Sequence, residues 1–143
     1  MWKSNHTVEQ INKMCRNTIH DALGIKITDK GEDFLVGIMP VDSRTVQPIR
    51  ILHGGANVVL AESLGSIASL LIINPDEEIS VGLDVNANHI RSVKSGVVRG
   101  VAKPINIGKK IHVWEIRITD EQERLTCISR LTVSILPREK DLV

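Results

Sequence analysis

One segment of the sequence constrains the fold more than any other: residues 56–73, where the only charged side chain is Glu62. The apolar residues of this segment recur too often to lie on one side of a helix. A helix without a polar face is stable only when other elements cover most of its sides. Asn74, Pro75 and Asp76 follow the segment and predict its end. The sequence therefore predicts a long central helix that the rest of the chain surrounds.

Strands are predicted on both sides of this helix. Alternating apolar residues and β-branched side chains predict them at residues 25–28, 34–41, 79–90, 96–105, 111–119 and 125–136. Turn residues lie between them at 29–31, 94–96, 106–108 and 120–123. An extra N-terminal helix is predicted from the capping box at Thr7 to a stop at Gly24. Whether it is one helix or two with a break near Arg16 and Asn17 stays open. The predicted class is α+β.

Length, composition and charge narrow the kind of protein. The chain has 143 residues, of which 42% are hydrophobic and 24% charged, so we expect one globular domain spanning 1–143. A net charge of +1 gives no field that attracts nucleic acid or a membrane surface. Cys15 and Cys127 lie far apart, so neither a disulfide framework nor a metal site is expected. Because no signal peptide or membrane span is visible, we expect a cytoplasmic protein.

Glu62 is the main candidate for chemistry, because a carboxylate in an apolar helix is costly unless it is paired or hydrogen-bonded. The structural interpretation is a buried ion pair with Arg44 or Arg91. The chemical interpretation depends on Gly54 and Gly55 at the predicted helix start. The first N–H groups of a helix have no intrahelical partner and can donate to a carbonyl oxygen. A Gly-Gly pair also fits a tight turn, so both interpretations stay open.

The spacing of Gly55 and Glu62 predicts that two chains build the site. Seven residues of helix rise about 10 Å, which is too far for both groups to contact one carbonyl in the same subunit. If both act, Glu62 must meet Gly55 of a second copy. A six-stranded sheet also cannot close around the central helix alone. Both arguments predict at least a homodimer.

Three further polar residues lie near these two. Gln47 and His53 precede the helix and can hydrogen-bond a substrate carbonyl, although a lone histidine in a loop is more often a surface residue. Ser66 lies one turn after Glu62 on the same helix face and can hold a water molecule. A serine on a buried helix more often bonds the preceding carbonyl. These three residues are therefore candidate site residues only because they lie near Gly55 and Glu62 in the sequence.

Several motifs resemble those of hot-dog-fold acyl-CoA thioesterases. The motifs are Met39-Pro40-Val41-Asp42, Gln47-Pro48, Leu52-His53-Gly54-Gly55-Ala56, Leu60-Ala61-Glu62-Ser63, Val85-Asn86-Ala87-Asn88-His89-Ile90-Arg91-Ser92, Gly100-Val101-Ala102-Lys103-Pro104 and Ser129-Arg130-Leu131-Thr132. The resemblance covers about residues 24–136. It is closest to the 1,4-dihydroxy-2-naphthoyl-CoA hydrolases of menaquinone biosynthesis and their aryl-CoA relatives.

The resemblance implies the architecture and the roles of the candidate residues. A six-stranded antiparallel sheet would wrap around the central helix, and dimers would form edge to edge and pair into a homotetramer. Glu62 would act as general base or nucleophile on the thioester, and the Gly55 N–H and Gln47 would polarise its carbonyl. His53 would assist near the thioester, and Ser66 would orient the water. No metal or redox cofactor is implied, since coenzyme A is part of the substrate.

Four residues are candidates for contacts with coenzyme A: His89, Arg91, Ser92 and Lys109. Lysine and arginine side chains at loop tips bind phosphates readily, but charged strand ends are also commonly a solvated rim. Arg91 and Ser92 have the stronger claim because they lie in one of the matching motifs. Which lysines join them stays open.

The expected activity is hydrolysis of an aromatic acyl-CoA, with 1,4-dihydroxy-2-naphthoyl-CoA as the candidate substrate, to the free acid and CoA. The alternatives are a medium-chain fatty acyl-CoA thioesterase, a dehydratase or acyl-carrier-protein enzyme of the same fold, and a non-catalytic acyl-CoA-binding protein. The His-Gly-Gly-Ala and Ala-Glu-Ser contexts favour hydrolysis. The sequence does not identify the acyl group, because aliphatic pocket walls accept aryl and fatty chains alike.

Overall fold

The computed structural model describes residues 1–139, so residues 140–143 of the predicted domain lie outside the described part. The elements follow in the order α1 (Val8–Met14), α2 (Ile19–Leu23), β1 (Lys26–Lys30), β2 (Leu35–Pro40), α3 (Gly54–Leu70), β3 (Glu78–His89), β4 (Val97–Ile107), β5 (Ile111–Thr119) and β6 (Leu125–Pro137). None of the helices within residues 1–139 is both long and apolar enough to cross a membrane.

The N-terminal region forms two short helices rather than one. The predicted capping box is confirmed, since the Thr7 side chain accepts a hydrogen bond from the Gln10 N–H and the Gln10 side chain bonds the Thr7 N–H in return. The helix breaks where Asn17 adopts a left-handed conformation with φ 59°. Gly24 ends the second helix, also left-handed, with φ 71°. The amide of Asn12 bonds both the N–H and the C=O of Ile27, which ties α1 to β1.

The six strands form one antiparallel sheet in the order β1-β2-β4-β5-β6-β3, which confirms the predicted architecture. Two predicted turns begin later than expected. β1 continues through Lys30 and β4 through Ile107, because each strand keeps its pairing beyond a register irregularity. β3 lies at one edge of the sheet, with exposed apolar side chains at Val81 and Leu83.

The central helix α3 packs against five of the six strands of this sheet, β2 to β6. It begins at Gly54, before the predicted residue 56, because His53 already serves as its N-cap. Leu60 and Leu64 are fully buried against the sheet. A Cβ built on Gly100 would lie 2.7 Å from a Leu64 methyl carbon, so this strand glycine lets the helix approach closely.

One stripe of α3 is not covered by the chain's own sheet. Its members are only half-buried and share one face of the helix: Val58, Val59, Glu62, Ser63, Ser66 and Leu70. The opposite face is buried along its length. A single chain therefore covers most, but not all, of the apolar helix.

Candidate active site

The start of α3 carries the predicted hydrogen-bond donor, the N–H group of Gly55, but the side chain of His53 already accepts its hydrogen bond. In this conformation the Gly55 N–H is engaged within the chain, since it donates to His53 Nδ1 at 2.8 Å. The reason is the position of His53, whose ring caps the helix in the way that serine or aspartate commonly does. Because the His53 ring is exposed, it can rotate away and release the N–H group to a ligand.

A cavity of about 310 Å³ lies beside this helix start. Residues from three separate parts of the chain line it: Gln47, Ile51 and Leu52 from the loop, Gly54 and Asn57 from α3, and His89, Ile90, Arg91, Ser92 and Val93 from the end of β3 and the segment after it. The structure therefore brings together Gln47, His89, Arg91 and Ser92, which the sequence analysis had placed in one site.

Gln47 is oriented within the loop by its own backbone neighbours. Its side-chain oxygen accepts a hydrogen bond from the Ile49 N–H at 2.7 Å. Its backbone N–H donates to the Ile51 carbonyl at 2.9 Å. Because the oxygen is engaged, the side-chain NH₂ group is the end available to a ligand. This is the polarity needed to polarise a carbonyl oxygen.

His89 packs directly on the glycine that starts α3. A Cβ built on Gly54 would lie 2.8 Å from His89 Nε2, which is closer than real Cβ contacts allow. Gly54 is therefore needed for the close approach of the imidazole. The exposed ring of His89 forms part of the cavity wall.

Glu62 lies away from this cavity, against the edge strand. A Cβ built on Gly82 would overlap Glu62 Oε1, so the carboxylate rests on the bare backbone of β3. The ion pairs within residues 1–139 join Arg44 to Asp42, Arg117 to Glu115 and Arg124 to Asp120, and none includes Glu62. The interpretation of Glu62 as a buried ion pair with Arg44 or Arg91 is therefore wrong for the single chain.

Comparison with known proteins identifies the family. The model of the thioesterase superfamily matches residues 50–127. The chain belongs to this superfamily. This range contains Glu62, Gly55, His53 and Ser66, together with strands β3, β4 and β5.

Related proteins support the same assignment over nearly the whole chain. The 1,4-dihydroxy-2-naphthoyl-CoA hydrolase of Escherichia coli is 49% identical over 95% of this chain and 99% of its own. The proofreading thioesterase EntH of Cronobacter turicensis is 44% identical over 95% of this chain and 98% of its own. The solved structure of a thioesterase from Haemophilus influenzae has a TM-score of 0.94 at 46% identity and covers 99% of both chains. The protein is thus a hot-dog-fold thioesterase.

Of the other predicted site residues, Ser66 lies near Glu62, but Lys109 lies far from His89. Ser66 is half-buried on the uncovered stripe of α3, one turn after Glu62, as predicted. Lys109 lies in the turn between β4 and β5, next to Lys110, whose carbonyl bonds the N–H of Ile135. His89 instead pairs with Cys127, eight residues earlier on β6. Lys109 and His89 are therefore about 25 Å apart in one chain, and a common site would need a second copy.

Two residues of the site were missed by the sequence analysis. Gly82 supports the Glu62 carboxylate, and Asn57 lies in the cavity wall beside His89. The only signal for Asn57 was a large polar side chain in the first turn of an otherwise apolar segment. Gly82 carried no separate signal, since its role depends on the contact between α3 and β3.

A larger cavity, of about 750 Å³, lies elsewhere, between the N-terminal segment and the end of α3. Its apolar wall includes Met14, Leu70 and Leu71, and it contains none of the predicted site residues. The smaller cavity at the start of α3 is therefore the candidate site. Within residues 1–139, no group of three or more histidine, cysteine, aspartate or glutamate side chains is arranged to hold a metal ion.

Proposed function

We propose that this thioesterase hydrolyses an aromatic acyl-CoA in the cytoplasm, with 1,4-dihydroxy-2-naphthoyl-CoA of menaquinone biosynthesis as the candidate substrate. The observation that carries the proposal is the cavity that joins Gln47 and the start of α3 to His89, Arg91 and Ser92. The cavity lining offers N–H donors for a thioester carbonyl and a guanidinium for the phosphates of coenzyme A. The relative that is named for this substrate, at 49% identity, supports the choice of acyl group.

The chemistry assigns a distinct task to each group. The Gln47 side-chain NH₂ and the Gly55 N–H stabilise the negative charge that develops on the carbonyl oxygen. Glu62 either removes a proton from water, which then attacks the carbonyl carbon, or attacks that carbon itself to give an anhydride that water hydrolyses. In both routes the C–S bond breaks and the thiolate takes up a proton. Ser66 orients the water, and His53 assists at the thioester.

Two copies of the chain are needed for this arrangement. Glu62 and Gly55 are about 10 Å apart along α3, and Glu62 rests against Gly82 rather than in the cavity. Antiparallel pairing of the open edges of two β3 strands would bring the Gly82 region of one chain towards the His89 end of the other. It would also cover Val81 and Leu83, which are 45% and 64% exposed. We therefore propose an edge-to-edge homodimer, with two dimers forming a homotetramer.

A panel of acyl-CoAs tests the substrate assignment. Release of free thiol is measured for aromatic and for medium-chain fatty acyl-CoAs, and kcat/KM should be highest for an aromatic acyl group. A preference for medium-chain substrates would overturn the aromatic assignment and leave the enzyme a thioesterase. Binding of acyl-CoAs without turnover would overturn the catalytic role of the site. No metal or redox cofactor is proposed, so activity should survive treatment with EDTA.

Mixing two inactive variants tests the shared site. Glu62→Gln removes the carboxylate, and Gln47→Ala removes the donor of the cavity. If one site takes these residues from different chains, half of the randomly mixed dimers carry one intact site of two, and about a quarter of wild-type activity returns. If both residues act within one chain, no site is repaired and no activity returns. Light scattering of the wild type should show a dimer or a tetramer, and a fully active monomer would contradict the proposal.

A further inference from the structure

The side chain of Asn57 is buried but incompletely hydrogen-bonded. Its exposed fraction is 4%, and it lines the cavity at the start of α3. Its nitrogen Nδ2 lies 3.4 Å from His89 Nδ1, a long contact, and its oxygen Oδ1 has no hydrogen-bond partner among residues 1–139. A buried polar group without a partner costs free energy. Asn57 Oδ1 is therefore a buried acceptor that the described residues leave without a hydrogen bond.

The neighbouring groups in the cavity indicate which donor this acceptor meets. The cavity that Asn57 lines also contains Gln47 and the helix start, which offer donors for the thioester carbonyl, and Arg91 and Ser92. A CoA thioester that spans these two regions places its pantetheine arm between them. The first amide N–H of that arm is separated from the sulfur by two methylene groups, so it comes next to the carbonyl-binding region.

We infer that Asn57 Oδ1 accepts a hydrogen bond from the first amide N–H of the pantetheine arm, which makes Asn57 a substrate-binding residue. The inference rests on the proposed acyl-CoA hydrolase function. It applies to every acyl group, since the arm is common to all CoA thioesters. The hydrogen bond holds the thioester sulfur at a set distance from the start of α3.

Two variants of α3 separate a ligand contact from a structural one. Asn57→Leu keeps the branched shape of the side chain and removes the unsatisfied oxygen, so the apparent melting temperature should stay the same or rise. Ser69→Ala is the matched control, because Ser69 is equally buried but has its partners inside the protein, Trp114 and His112. Ser69→Ala should lower the melting temperature and leave KM unchanged.

A pair of short thioesters tests the hydrogen bond directly. The acyl group that is hydrolysed fastest in the panel is joined to 2-acetamidoethanethiol or to 2-acetoxyethanethiol, which differ only in an N–H replaced by oxygen. The wild type should prefer the amide by about 3- to 10-fold in kcat/KM, the value of one hydrogen bond. Asn57→Leu should hydrolyse both alike, and Ser69→Ala should keep the wild-type preference.

Each outcome of these measurements supports or contradicts the role of Asn57. A wild type that hydrolyses acyl-CoAs without preferring the amide would overturn the role of Asn57 and leave the hydrolase function intact. A preference that persists in Asn57→Leu would assign the N–H to another acceptor. If Asn57→Leu does not fold, Asn57→Ala is measured with the same pair, and the wild-type preference still provides a test. A wild type that hydrolyses no acyl-CoA would refute the proposed function itself.

Discussion

The buried polar groups at the two ends of α3 differ in how completely they are hydrogen-bonded. Near the C-terminal end, Ser69 accepts a hydrogen bond from Trp114 Nε1 at 2.8 Å and pairs with His112 Nδ1 at 3.0 Å. All three residues are at most 2% exposed. Near the N-terminal end, the Asn57 oxygen has no hydrogen-bond partner among residues 1–139, and within the same residues the Gly55 N–H donates only to the exposed ring of His53.

This contrast associates the C-terminal end of α3 with stability and the N-terminal end with the proposed substrate contacts. Polar groups that satisfy one another inside the chain hold the helix on the sheet, and no ligand is needed to complete them. Polar groups without a firm internal partner lie where the proposed substrate would supply one. Glu62 lies between the two ends, on the stripe that the chain's own sheet leaves uncovered. Changes at the two ends should therefore affect different measurements.

The largest effect is expected for Glu62→Gln. The variant keeps the shape of the side chain but can neither remove a proton from water nor attack the thioester. Because general-base catalysis contributes about 10²–10⁴-fold, kcat should fall by at least that factor. Stopped-flow or steady-state thiol release measures the loss, and the melting temperature serves as the control for folding. Near-normal turnover would make Glu62 a structural residue.

A smaller loss of activity is expected for Gly82→Ala. The new methyl group would overlap the Glu62 carboxylate, which is the far end of a flexible side chain and can move aside at little cost in stability. A displacement of about 1 Å at a reacting group can cost about 10²-fold, so kcat should fall by that order while the melting temperature hardly changes. Ser80→Ala, on the same strand, is the control. An unchanged kcat would show that Gly82 does not set the working position of the carboxylate.

At the other end of α3, Ser69→Ala should act on stability alone. Trp114 Nε1 and His112 Nδ1 would lose their shared partner in a buried environment. Leaving such groups unsatisfied costs about 1–3 kcal/mol, which denaturant titration should detect as a lower free energy of unfolding. Ser63→Ala, at a half-buried position of the same helix, should change stability by less. A clear rise in KM for Ser69→Ala would erase the contrast between the two ends.

The smallest effect expected is a loss of stability in mild acid caused by His112. Burial lowers its pKa from the ordinary 6.5, outweighing the opposing influence of a backbone hydrogen bond with Gly108 and of the Glu78 charge, and Lys3 adds to the lowering. Below pH 6.5 the unfolded chain takes up the proton first, so the free energy of unfolding should fall as pH decreases towards the lower, folded-state pKa. Above pH 6.5 this contribution to the pH dependence should vanish.

Denaturant titrations between pH 7.5 and about pH 5 measure this slope. His112→Gln should make it shallower without abolishing it, because burial also lowers the pKa of His20. The carboxyl of Asp42 does not interfere, since the side-chain hydrogen bond from Arg44 lowers its pKa to about 2. An identical slope in His112→Gln would show that His112 titrates equally in the folded and unfolded chains.

Much of the fold could be predicted because the signals are local. The apolar segment at 56–73 identified α3, and alternation identified the strands, with 111–119 matching β5 at both ends. The two turns that began later than predicted lie beyond register irregularities, where pairing with a neighbouring strand outweighs local turn preference. The break of the N-terminal helix stayed open because it depends on one residue, Asn17, in a left-handed conformation.

For the site, the sequence by itself determined the residue types and their distance along α3. The lone carboxylate at Glu62 and the glycines at the helix start were visible as local departures from an apolar pattern. The helical rise alone predicted that Gly55 and Glu62 cannot serve one carbonyl in a single chain. These inferences needed only the geometry of one helix.

Only the tertiary structure decided which groups meet across elements. It placed Glu62 on Gly82, Asn57 beside His89, and the His53 ring on the Gly55 N–H. It also placed Lys109 at the far end of the sheet from His89. Asn57 and His89 are 32 residues apart in sequence, and their contact depends on how α3 lies across β3. Such contacts follow from the register of the sheet and the packing of the helix on it, which no short stretch of sequence encodes.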